Sequence, residues 1–95
     1  MDDLIAAIKN LHGCDAIYSE STEIHEEFEG QPVWEGEVHT FTIKGHPDTD
    51  TCYAWSHPIE GSEKHKYYAV LHIPPVDSPE AAVRASIVAD YKDQK

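Results

Sequence analysis

Basic side chains are scarce in this chain. Seven Lys and Arg stand against 18 Asp and Glu in 95 residues, a formal charge of −11. From Asn10 to Ile43 there is no Lys or Arg at all, while Asp15, Glu20, Glu23, Glu26, Glu27, Glu29, Glu35 and Glu37 all fall there. Binding to a phosphate backbone runs on Lys and Arg neutralisation with release of counterions, so direct nucleic-acid binding is not expected. An anionic membrane repels the same surface, whereas a basic partner is drawn to it.

Cysteine is nearly missing as well, with only Cys14 and Cys52 present. Extracellular domains of this size usually carry more bridges, and no CxxC pair occurs, so two reduced, buried thiols are expected. No apolar run approaches the roughly 18 residues of a membrane span. The opening Met1-Asp2-Asp3-Leu4-Ile5 has neither the positive nor the long apolar region of a signal peptide, and the protein reads as cytoplasmic. A P-loop, a GxGxxG fingerprint and a GxSxG elbow are all absent. The length suits one acidic domain spanning residues 1–95, with about 64% of its extended surface buried on folding.

What is present is a legible succession of elements. Asp2 or Asp3 can cap a helix whose apolar positions Leu4, Ile5, Ile8 and Leu11 follow helical spacing, and Gly13 sits where a left-handed C-terminal cap belongs. Alternation then takes over. Ala16, Tyr18, Thr22, Ile24 and Phe28 share a parity, and Gly30-Gln31-Pro32 ends that strand. From Val33 to Ile43 a second strand follows, with Trp34 and Val38 on one parity and Phe41 and Ile43 on the other. A bulge near Gly36 would reconcile the two sets. After the turn chemistry of residues 44–50, Thr51 to His57 and Lys66 to Ile73 read as an antiparallel hairpin joined through Pro58–His65. Ser78-Pro79-Glu80 starts a last helix running to about Tyr91: a Ser N-cap, Pro at the first helical position and an acid in the first turn. The fold class is therefore α+β, in the order α-β-β-β(-β)-α: an antiparallel meander of three to four strands with both helices packed on one face.

The most informative segment is the hairpin. Pairing Trp55 with Tyr68, Tyr53 with Val70 and Thr51 with His72 puts these side chains on one face, and Cys52, Ala54, Ala69, Leu71 and Ile73 on the other. With the alanine-rich last helix against the small-residue face, Tyr53, Trp55, Tyr68, Val70 and His72 form an aromatic patch open to a protein partner or a second copy. The leading expectation is a small, non-catalytic protein-binding domain, with no cofactor and no metal, whose acids steer a basic partner. The alternative is a metal-dependent or His-assisted enzyme. It would use the His46, Asp50 and His57 turn, or Glu35, Glu37 and His39, which share a strand face. Neither set has the close paired ligands of a structural zinc site, and Cys52 reads as an inert core residue.

Overall fold

A computed structural model of the chain describes residues 2–59 and 61–93, without the side chains of Phe28, Val33 and residues 90–93. Helix α1 (Asp2–His12) is followed by strands β1 (Asp15–Phe28), β2 (Gln31–Lys44), β3 (Thr51–Pro58) and β4 (His65–Leu71), then helix α2 (Pro79–Asp93). The strands form one antiparallel sheet in the order β1-β2-β3-β4.

The punctuation works as its chemistry dictates. Gly13 takes a φ of 71° and donates its N–H to Lys9 O at 2.8 Å, closing α1 with a left-handed cap. Ser78 Oγ accepts the Ala81 N–H at 3.1 Å, ahead of Pro79 at the first position of α2. Between β1 and β2, Glu29 and Gly30 have φ values of 53° and 78°. Two successive positive φ angles give the tight hairpin turn whose twist matches that of the flanking strands. The β3–β4 register is the one deduced from the sequence, with Trp55 opposite Tyr68 and Tyr53 opposite Val70; His72 N–H bonds Thr51 O at 3.0 Å.

The helices pack on the sheet, but they take opposite faces rather than one. Leu4 and Ile8 of α1 cluster with Cys14, Phe41, Ile43, Cys52 and Ala54. Ala82 and Val83 of α2 cluster with Ile24, Val38, Tyr53 and Trp55. β3 shows why. Cys52, Tyr53, Ala54 and Trp55 are all buried, so the strand is apolar on both parities and needs cover on both sides. Aromatic rings with about 150–250 Å² each to bury make the Tyr53–Trp55 side the costlier one to leave wet.

Two-sided cover also explains the split parity of β2. No bulge occurs at Gly36. The strand runs regularly from Trp34 to Lys44, its two apolar sets facing different helices. The irregularities lie at Ser19, which is skipped between the Tyr18–Phe41 and Glu20–Thr40 pairs, and at Val33, skipped between Glu26–Trp34 and Glu27–Pro32. The extra residue in β1 moves its even positions from the α1 side, with Ala16 and Tyr18, to the α2 side, with Ile24 and Glu26. Gly36 has a different role: a Cβ there would lie 2.9 Å from the Trp34 ring, which therefore needs the bare backbone.

Candidate functional site

The five residues of the expected aromatic patch share one sheet face, but α2 covers it. Tyr53 is 5% and Trp55 1% exposed, and Tyr68, Val70 and His72 are half-buried. Trp55 stacks on Tyr68 with centroids 5.1 Å apart and 10° between planes, and Trp34 meets Trp55 edge-on at 6.0 Å. Tyr53 Oη and His72 Nδ1 are hydrogen-bonded at 2.5 Å. Burial raises the Tyr53 phenol above its usual range, with the charges of Asp77, Cys52 and Glu20 adding to the effect. Tyr53 and Trp55 are core, with Tyr68 and Val70 packed against them, and the expectation of an open aromatic patch is corrected accordingly.

The open part of the sheet lies on the other side. An 11-residue helix reaches about 16 Å, so α1 covers only the end of its face that holds Ala16, Phe41, Ile43, Cys52, Ala54, Ala69 and Leu71. Beyond it the β1–β2 pairing sets Ser21 opposite His39, Glu23 opposite Glu37 and His25 opposite Glu35. All of these except the half-buried His39 are exposed. His25 Nδ1 lies 2.7 Å from Glu35 Oε1, and His39 Nε2 lies 3.6 Å from Glu37 Oε1. A shallow cleft of about 340 Å³ is lined by Glu23, His25, Glu35, Gly36 and Glu37. Two carboxylates directly across a ladder repel, and Glu23 forms no ion pair among the described residues. This face is therefore left with negative potential that a cation would relieve.

The expected grouping of Glu35, Glu37 and His39 on one face is present. Sequence reasoning missed Ser21, whose Oγ is 2.7 Å from His39 Nδ1 and 2.7 Å from Tyr18 Oη. The serine lies 18 positions before its histidine, and only the strand pairing brings them together. The turn set does not converge. His46 Nδ1 accepts the Asp48 N–H at 3.1 Å, and Asp50 Oδ1 accepts the Thr51 hydroxyl at 3.0 Å. His57 is near the far end of β3, its ring edge-on to Trp34 at 5.3 Å, about 20 Å along the strand from Asp50. No three His, Cys, Asp or Glu side chains among the described residues are placed to hold a metal ion.

Cys14 and Cys52 are free and buried. Burial pushes the Cys52 thiol up to about 12, with the nearby Cys14 adding to the rise, so no reactive thiolate forms there at neutral pH. No helix among the described residues is long and apolar enough to cross a membrane. Compared with known proteins, the chain matches no family model, no curated protein and no solved structure.

Proposed function

We propose that this is a small, non-catalytic protein-binding domain that docks a Lys- and Arg-rich segment of a partner on the open half of the α1-side sheet face. The observation that carries the reading is the exposed ladder of Glu23, Glu35 and Glu37 on a paired two-strand ribbon, within a stretch that holds no basic residue other than histidine. Electrostatic complementarity of this kind sets the encounter rate and orientation and weakens with salt. A cytoplasmic setting goes with this reading, supported by the two unpaired thiols.

The test is titration of a fluorescent Arg-rich peptide into the protein at low salt. Glu23→Lys with Glu37→Lys should weaken binding at least tenfold, about 1.4 kcal/mol. A control of equal charge, Asp48→Lys with Glu63→Lys, should weaken it far less. Equal losses in the two variants would reduce the effect to net charge and remove the site.

A second reading, hydrolysis assisted by His39, has one observation in its favour: the 2.7 Å contact between Ser21 Oγ and His39 Nδ1, the distance a nucleophile and its base require. It predicts that a fluorophosphonate ester labels the wild type at Ser21, that His39→Gln suppresses the labelling and that Ser21→Ala abolishes it. An unlabelled wild type would leave the pair as a cross-strand hydrogen bond.

A further inference from the structure

The two edges of the sheet are built differently. β1 carries an extra residue at Ser19 and faces one at Val33 in β2, and it presents Glu20, Glu23 and Glu27 to solvent. Bulges and charges of this kind stop an edge from pairing with another chain. β4 has no bulge, and its one formal charge is Lys66, near the start of the strand. Its register with β3 runs unbroken from Cys52–Leu71 to Pro58–His65, and from His65 to Leu71 it contains no acid.

The hydrogen-bonding parity of β4 can be worked out. His72 bonds Thr51 across the hairpin, so in an antiparallel ladder Val70 and Tyr68 also point their backbone groups at β3, and Tyr67, Ala69 and Leu71 point theirs outward. His12 Nε2, 2.8 Å from Ala69 O, fits that assignment. The Leu71 carbonyl is taken by Ile73 N–H at 2.9 Å. Among the described residues, nothing bonds either backbone group of Tyr67 or the N–H of Ala69, and the Ala69 carbonyl keeps a second lone pair.

Apolar side chains flank this edge on both sides. Leu11 is 58% and Tyr67 38% exposed on the α1 side, and Val88 is 52% exposed on α2. A cleft of about 380 Å³ contains Leu11 and Tyr67. A second, of about 320 Å³, runs from those two across β4 to Ala85 and Ala89, and a third, of about 510 Å³, continues over Ala85, Val88 and Ala89. One belt, mostly apolar but interrupted by Asp3, Asn10, Lys66, Ser86 and Arg84, thus wraps the edge from helix to helix.

We infer that β4 is the seam of a homodimer, in which two copies pair β4 to β4 antiparallel about a two-fold axis near Tyr68 and continue the sheet to eight strands. An axis perpendicular to the sheet keeps α1 beside its copy on one face and α2 beside its copy on the other, so Leu11 and Tyr67, and Ala85, Val88 and Ala89, meet their own counterparts. That self-complementarity is what a closed two-fold interface requires. The charges agree: β4 is an edge without carboxylates on a chain of −11. In this register the two Lys66 residues stand about 13 Å apart along the strands, where their repulsion is screened. The seam is separate from the acidic face and does not depend on it.

The experiment is sedimentation equilibrium of the full untagged chain from micromolar to submillimolar concentration. The expected mass is twice the 10.7 kDa of one chain. Leu11→Lys with Val88→Lys changes only exposed positions, and Tyr67→Pro removes an outward N–H that bonds nothing in β3. Each should return the mass to one chain with the circular dichroism spectrum unchanged. A wild type that stays at one chain throughout the range overturns the inference. So does a dimer that survives both variants, and so does an open-ended series of larger species, which would mean β4 pairing with β1.

Discussion

Trp55→Ala is expected to lower stability by about 3–5 kcal/mol, the usual cost of truncating a buried aromatic. A domain of this size has about 5–15 kcal/mol in total, so the urea midpoint should fall to a fraction of the wild-type value or the cooperative transition should vanish. Trp55 is 1% exposed and lies against Tyr68 and Trp34. Its indole N–H has no hydrogen-bond partner among the described residues. Trp55→Phe should therefore cost much less than Trp55→Ala, since it keeps most of the ring contact and removes a buried, unsatisfied donor. A loss within about 0.5 kcal/mol for Trp55→Ala would be surface behaviour, and would restore the aromatic side of the sheet as a candidate docking face.

Alkaline pH should produce the other large effect. The Cys52 thiol sits at about 12 in the folded protein against an ordinary 9.0. Below pH 9 both the folded and the unfolded chain hold that proton, and stability is insensitive to it. Between pH 9 and 12 the unfolded chain releases the proton first, so it binds fewer protons than the native state and the free energy of unfolding falls as pH rises. The full window is worth on the order of 4 kcal/mol. Tyr53, also raised from its ordinary 10.0 by burial, steepens the upper part. Urea melts at stepped pH should show the midpoint declining from about pH 9, with a shallower decline in Cys52→Ala. A midpoint flat to pH 11 would mean that the thiolate is tolerated where it stands. The same burial keeps Cys52 out of nucleophilic chemistry at neutral pH, as its place in an apolar strand implies.

Much of the architecture depends on local signals, and those are readable in the chain. Ser78-Pro79 and Gly13 act on backbone groups within four residues of themselves, so their caps need no tertiary information. The β3–β4 register follows from placing the aromatic residues of two neighbouring segments opposite each other across a short connection. The grouping of Glu35, Glu37 and His39 follows from alternation along one strand. Their partner Ser21 comes from another strand, and nothing in its own neighbourhood announces it.

Composition and short-range pattern by themselves determined the acidic skew, the element order, the two caps, the hairpin register and the buried thiols. Tertiary structure alone decided which face of the sheet each helix covers. α2 presents alanines that fit either side, and it packs on the face with the bulky aromatic side chains Tyr53 and Trp55. Tertiary structure also placed the extra residue at Ser19, because one inserted residue reverses every later side chain of a strand without altering its composition. For that reason Tyr53 and Trp55 became core, and the acidic ribbon beyond α1 stayed exposed.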